Sequence, residues 1–266
     1  MKHKIEELLD IMARLRDPDS GCPWDQKQTY ETIVPFTLEE AYEVAEAIEN
    51  NDIDSLRDEL GDLLFQVVFY SQIAKEEKRF EFNDVVDGIV EKMIRRHPHV
   101  FADVDVEDEH AVKMNWEKIK AEERQQKNND RPLSILDGVN QALPGLSRAK
   151  KLQKRASDVG FDWPDHSGVL HKIEEELEEV QEAVASGDIV HVEEEIGDLF
   201  FVIVNLARHL KIDPETAIRK ANRKFEDRFH CMEAIADERT QYMRDMSLDD
   251  LDQLWNQAKD KLKMSS

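Results

Sequence analysis

The chain has 266 residues, 36% of them charged, and 59 acids against 36 bases leave a formal charge of −23. That balance excludes long polyanions, nucleic acid and anionic membrane surfaces alike, as average partners, although a local site of opposite sign can still admit a small phosphate ligand. Nine glycines and eight prolines are too few for a fibrous or linker-like chain, and 40% hydrophobic content is enough to build cores.

In chain order, the opening MKHKIEELLDIMARL puts Ile5, Leu8, Leu9, Met12 and Leu15 at helical spacing. Acids interrupt its apolar pattern and no small-residue cleavage site follows, so it does not read as a signal peptide. Cys22 and Cys231 lie far apart, which is no disulfide framework and fits a reducing cytoplasm. Leu38, Tyr42, Ala45 and Ile48 mark the next helix, and Leu56, Leu60, Leu63 and Val67 the one after. The longest apolar run, Leu63 to Ala74, includes Gln66 and Gln72 and falls short of the roughly 18 residues of a membrane span. Asp84 is predicted to cap a helix that runs through Arg96 and stops before Pro98, with His97 and His99 in a helix-ending turn.

From Glu174 the chain repeats itself. Leu38 to Val68 and Glu174 to Val204 superpose without a gap at a constant offset of 136. Flanking echoes keep the same order: Gly21 to Trp24 recurs as Gly160 to Trp163, Lys92 with Arg96 as Lys224 with Arg228, and Trp116 with Lys120 as Trp255 with Lys259. The join falls in ERQQKNNDRP, Glu123 to Pro132, which has no apolar residue and ends in proline. Two all-α units are therefore expected, residues 1–127 and 128–266, each a helical bundle. The second starts a helix near Pro214, which a first helical turn tolerates. Trp24 and Trp163 each close a glycine-led loop and read as hydrophobic plugs.

The repeated block is symmetric about its turn. Glu43 and Glu59 are each eight residues from Asn51, and Glu40 and Asp62 are each eleven away. Gly187 stands in the same relation to Glu179 and Glu195, and to Glu176 and Asp198. In an antiparallel hairpin, equal counts mean equal heights, about 12 Å and 16 Å from the turn. Residues i and i+3 share a face. E-x-x-E on one helix and E-x-x-D on the next can thus converge four carboxylates, which repel unless a cation neutralises them. Oxygen ligands without Cys or His suit Mg²⁺ or Mn²⁺. A di-iron bundle would instead need E-x-x-H pairs, and neither block has a His at that place.

This pattern resembles the MazG-type nucleoside triphosphate pyrophosphohydrolases. The supporting segments are LRDPDSGCPWDQKQT, ELGDLLFQVVF, RRHPHVF, VGFDW and NLARHL. The resemblance covers essentially the whole chain, as a tandem pair of units. It implies hydrolysis of nucleoside triphosphates to monophosphate and pyrophosphate with Mg²⁺, and homodimers assembled as four-helix bundles. It also implies metal ligands at Glu176, Glu179, Glu195 and Asp198, and at Glu40, Glu43, Glu59 and Asp62. Lys224 with Arg228, and Lys92 with Arg96, lie one turn apart and offer cations to phosphates, as does Lys172. Trp255 with Lys259, and Trp116 with Lys120, offer a ring and an ammonium. Glu175, or Glu39 in the first unit, is the spare acid that orients or deprotonates a water. No P-loop and no nucleophile elbow occurs. Two alternatives stay open. One is a non-catalytic nucleotide-sensing or partner-binding bundle; the other is a narrower enzyme acting on dUTP, dCTP or phosphoribosyl-ATP. Which unit works is also open, with the second favoured by its uninterrupted acidic run and its Lys224/Arg228 pair.

Overall fold

A computed structural model describes residues 4–102, 108, 111–112, 114–116, 119–120, 122–123 and 134–263. Among the described residues every regular element is helical, with no strand, and no helix is long and apolar enough to cross a membrane. The chain divides into two compact units, Met1–Glu123 and Arg124–Ser266. The predicted join, apart from Glu123, lies outside the described residues.

The first unit comprises α1 (Lys4–Leu15), α2 (Tyr30–Glu49), α3 (Ile53–Glu76), α4 (Phe82–Arg96) and the single turn α5 (Pro98–Phe101). The second comprises α6 (Gly145–Ser157), α7 (His166–Ser186), α8 (Ile189–His209), α9 (Pro214–Glu238) and α10 (Leu248–Lys263). Each is organised around a long antiparallel hairpin, α2 with α3 and α7 with α8, and the preceding helix packs on the hairpin's second arm.

The two hairpin turns use one device. Asn51 has φ +55° and Gly187 has φ +75°, left-handed conformations that Asn and Gly tolerate best. These are the two residues about which the carboxylates are symmetrically spaced. An aspartate follows each and caps the next helix. Asp52 accepts from the Ser55 N–H at 3.0 Å, and Asp188 accepts from the Val190 N–H at 3.0 Å. Pro214 opens α9 behind its cap Asp213, which accepts from the Thr216 N–H at 2.9 Å. The predicted cap at Asp84 is corrected by the structure. The cap is Glu81, and the Asp84 carboxylate, one turn in, accepts from the Glu81 N–H at 2.7 Å. The helix starts earlier because an acid at its third position can reach back to the entering backbone.

Met12, Ile33, Val68, Phe69 and Ile73 form the core of the first unit. Phe69 is 1% exposed. Phe69→Ala should cost that unit about 3–5 kcal/mol through lost contacts and the cavity left behind, read as a lower urea midpoint for the first unit. Met232, Ile235 and Ala236 of α9 close on Leu254 and Ala258 of α10 in the second unit. Much of each hairpin's apolar stripe stays uncovered by its own unit. Leu38, Tyr42 and Leu60 in the first unit, and Leu177, Val184 and Phe200 in the second, are exposed. Two helices bury only their shared seam, so the other apolar face needs a further layer.

Candidate active site

In the second unit, α7 carries Glu176 and Glu179 and α8 carries Glu195. One oxygen from each lies within 4.8 Å of the others. The turn at Gly187 makes this possible, because it sets the two arms in register. Glu176 is only 4% exposed, and its Oε2 has no hydrogen-bond partner. A buried carboxylate oxygen without a donor is costly. Lys172, one turn earlier on α7, supplies the positive charge. Its Nζ stands 2.6 Å from Glu175 Oε1, 2.9 Å from Glu176 Oε1 and 3.9 Å from Glu179 Oε2. These bonds raise the Lys172 pKa, Glu175 first and Glu176 second. Partial desolvation, with Glu176 and Glu195 adding and Lys172 opposing, raises the Glu179 carboxyl. His191 Nε2 lies 3.0 Å from Glu195 Oε1, one turn away on α8.

The first unit repeats the arrangement with Glu40, Glu43 and Glu59, again within 4.8 Å. Desolvation and then the charges of Asp62 and Glu43 raise Glu40. Desolvation and then Glu43 and Asp62 raise Glu59. In both, burial of the carboxyl acts first and the crowding of like charges adds to it, a repulsion that a cation relieves. Asp62 and Asp198 are exposed and lie outside the two tight sets, so the structure brings three of each expected four together. Glu39 is exposed, and Glu175 is held by Lys172. The donor set fits a hard divalent cation. It consists of clustered carboxylate oxygens, one of them buried and unpartnered, with no sulfur or imidazole among them.

The paired cations and rings also meet. The Arg228 guanidinium lies over the Trp255 ring at 5.4 Å, and Arg96 over Trp116 at 5.3 Å. Sequence spacing paired Arg228 with Lys224 and Trp255 with Lys259. Packing of α9 on α10 instead sets the arginine on the indole, which fixes its plane. Lys224 is exposed and Lys259 half-buried, while Lys92 and Lys120 are half-buried.

The units differ in what the arginine of each pair meets. Glu123 takes Arg95 and Arg96 together, with Arg96 Nη2 at 2.5 Å and Arg95 Nη2 at 2.7 Å. Among the described residues no carboxylate pairs with Arg228. The bonds from Arg96 and then Arg95 hold the Glu123 carboxyl down at about 2, against about 4.3 for an ordinary Glu. A depressed pKa means that the pair contributes above the unfolded value and is lost as pH falls through the folded one. A carboxyl-carbon titration should therefore place the Glu123 midpoint near 2; an ordinary midpoint would show the pair to be absent.

Two helical hairpins, each gathering carboxylates from both of its arms and each accompanied by a guanidinium laid on an indole, define a duplicated acidic-site protein of the all-α class. A profile of the MazG nucleotide pyrophosphohydrolase domain matches residues 28–101 and 165–245, once per unit, and the chain belongs to that family. It is 51% identical over 259 residues to the nucleoside triphosphate pyrophosphohydrolase of Escherichia coli (strain K12), covering 97% of each chain. It is 47% identical over 255 residues to a nucleoside triphosphate pyrophosphohydrolase/pyrophosphatase MazG of Thermotoga maritima, covering 96% of this chain and 95% of the other. A crystal structure of a mazG-related protein from Thermotoga maritima matches 44% of this chain and 98% of its own, at 32% identity and a TM-score of 0.37.

Proposed function

We propose that the chain is a divalent-metal-dependent hydrolase that converts nucleoside triphosphates and water to nucleoside monophosphates and pyrophosphate, working mainly in its second unit. The observation that carries this reading is the buried, unpartnered Glu176 oxygen within the Glu176, Glu179 and Glu195 cluster. The names of the relatives, at 51% and 47% identity, support it.

Glu176, Glu179 and Glu195, with Asp198 from the next turn of α8, would hold Mg²⁺ or Mn²⁺. When bound, the ion would supply Lewis-acid polarisation of a phosphoryl oxygen and neutralise the acids. Lys172, now held by Glu175, Glu176 and Glu179, would be the cation nearest the acids to meet the phosphate chain. Glu175 orients the attacking water and draws its proton. Arg228, with Lys224 and Lys259, meets the charge that builds on the departing pyrophosphate. Trp255 keeps the Arg228 plane presented. Glu40, Glu43, Glu59 and Asp62 form a parallel set in the first unit, with Glu39 as its spare acid. Lys92, Arg96, Trp116 and Lys120 accompany it, and there Glu123 competes with phosphate for the arginines.

The exposed apolar faces of both hairpins support a homodimer, because two hairpins laid face to face close a four-helix bundle. Both cysteines are unpaired, as suits a reducing cytoplasm. The test is a panel of ribo- and deoxyribonucleoside triphosphates with and without Mg²⁺. Pyrophosphate release that requires the metal is expected. A rise in melting temperature with no turnover would replace this reading with a nucleotide-sensing bundle.

A further inference from the structure

In the first unit the carboxylate of Glu123 lies between two guanidiniums. Its Oε1 accepts from Arg95 Nε at 3.0 Å, Arg95 Nη2 at 2.7 Å and Arg96 Nε at 3.3 Å, and its Oε2 accepts from Arg96 Nη2 at 2.5 Å. We propose that these two arginines form a seat for the terminal phosphate of pyrophosphate or of a nucleoside triphosphate, and that Glu123 is the unit's own substitute for that phosphate, closing the seat until the anion displaces it. The proposal rests on the reading of Arg96 as a phosphate contact and deepens it by naming what controls that contact.

Three observations converge. First, the donors suit a phosphate better than a carboxylate. Each arginine presents its Nε and Nη2 as a fork. Arg96 spreads its fork over both oxygens, whereas Arg95 puts both of its donors on Oε1, which so takes three N–H groups. A carboxylate oxygen has two lone pairs to offer them. A phosphate presents its oxygens in a tetrahedron and can take two guanidinium forks at once.

Second, the seat is built without Glu123. Arg96 lies over the Trp116 ring at 5.3 Å, and that ring meets His97 edge-on with centroids 4.8 Å apart. His97 is fixed in turn, because its Nδ1 donates to the Met93 carbonyl at 2.8 Å. Packing therefore holds the arginine plane, and loss of the Glu123 charge leaves it in place. The Arg96 side chain is 17% exposed and that of Arg95 53%, so the seat opens to solvent on the Arg95 side.

Third, the closure is peculiar to this unit. With Arg96 set against Arg228, Arg95 stands where the second unit has Asp227. With Trp116 set against Trp255, Glu123 stands where the second unit has Leu262. At the constant offset of 136, Phe36 stands where the second unit has Lys172. The first unit thus lacks the cation at the start of its acidic helix and carries one more at the end of α4, together with the acid that covers it. A tethered acid acts at an effective concentration of about a millimolar, so a more highly charged anion can displace it and a weak one cannot.

The side-chain Nε–H resonances of Arg95 and Arg96, assigned with Arg95→Lys and Arg96→Lys, report on the seat directly. In the full chain without metal, pyrophosphate should shift both of them together with the Glu123 carboxyl-carbon resonance. By the same signals, Glu123→Gln should bind pyrophosphate about tenfold or more tightly, and Arg95→Ala on that background should lose about tenfold. Should Glu123→Gln fail to fold by circular dichroism, the wild-type titration decides, and arginine signals that stay put overturn the seat. The α,β-methylene analogue of ATP, run beside pyrophosphate, separates the two sources: the anion that shifts the signals at the lower concentration is the occupant. Sulfate acting as well as either, or equal affinity in the wild type and Glu123→Gln, overturns the seat. Metal-dependent pyrophosphate release from nucleoside triphosphates, with no shift at Arg95 or Arg96, overturns the seat and leaves the hydrolase reading standing. Exchange at the two arginines in a protein that hydrolyses no nucleoside triphosphate keeps the seat and overturns the hydrolase reading.

Discussion

Glu176→Gln should lower pyrophosphate release by about 10²–10³-fold, because a cation that contributes several kcal/mol of transition-state stabilisation loses its most buried ligand. The substitution keeps the shape of the side chain and removes one negative charge from a crowded set. Lys172 retains Glu175 and Glu179 as partners. The variant should therefore fold, and without metal it should melt no lower than the wild type by more than a degree or two. What it should lose is the rise in melting temperature that Mg²⁺ or Mn²⁺ gives to a protein that binds it only when folded. Full activity together with an unchanged metal-induced rise would show that Glu176 holds no ion. The exposed neighbour Glu178 makes a good control, since its loss should alter neither property.

Arg228→Ala and Arg96→Ala should differ, although sequence alone makes them equivalents. The loss at Arg228 should lower kcat/KM by about 10–100-fold, the worth of one charge-assisted bond to phosphate. Arg228→Lys should recover only part of this, because an ammonium neither lies flat on Trp255 nor binds two oxygens in one plane. The loss at Arg96 should change kcat/KM by less than about twofold, because Glu123 already occupies that guanidinium. Glu123→Gln would free it. Equal losses at the two arginines would mean that the units share the work and that Glu123 does not separate them.

Much of this was legible in the sequence because helical hairpins are local. The exact-offset repeat, the two arms, the turn residues and the carboxylate levels all follow from spacing along one or two helices. Asn51 and Gly187, about which the carboxylates are symmetrically spaced, take left-handed conformations. The parts that spacing could not supply depend on packing between distant segments. Lys172 reads as a phosphate contact, but in the structure it is first a counter-ion to three acids on its own helix. Arg228 meets Trp255 only because α9 folds against α10. Gln153 carries no motif, and its part shows only where α6 meets α8 and its amide Nε2 donates to the Phe201 carbonyl at 2.7 Å. Trp163, expected as a plug, instead lines a cavity and is 39% exposed. The helix boundaries near Asp84 failed for a different reason. Two acids three residues apart, Glu81 and Asp84, can both begin a helix, and the capping box uses both.

The formal charge of −23 also reads differently once the acids are placed. Several belong to two clusters that a divalent cation could neutralise, and such a cation would let an anionic triphosphate approach an acidic protein. This encounter would cleave between the α- and β-phosphates. Phosphorus NMR of ATP incubated with Mg²⁺ and the full chain tests it most directly. Resonances of AMP and pyrophosphate should grow together, in equal amounts; ADP and orthophosphate as the first products would rule out cleavage at that bond.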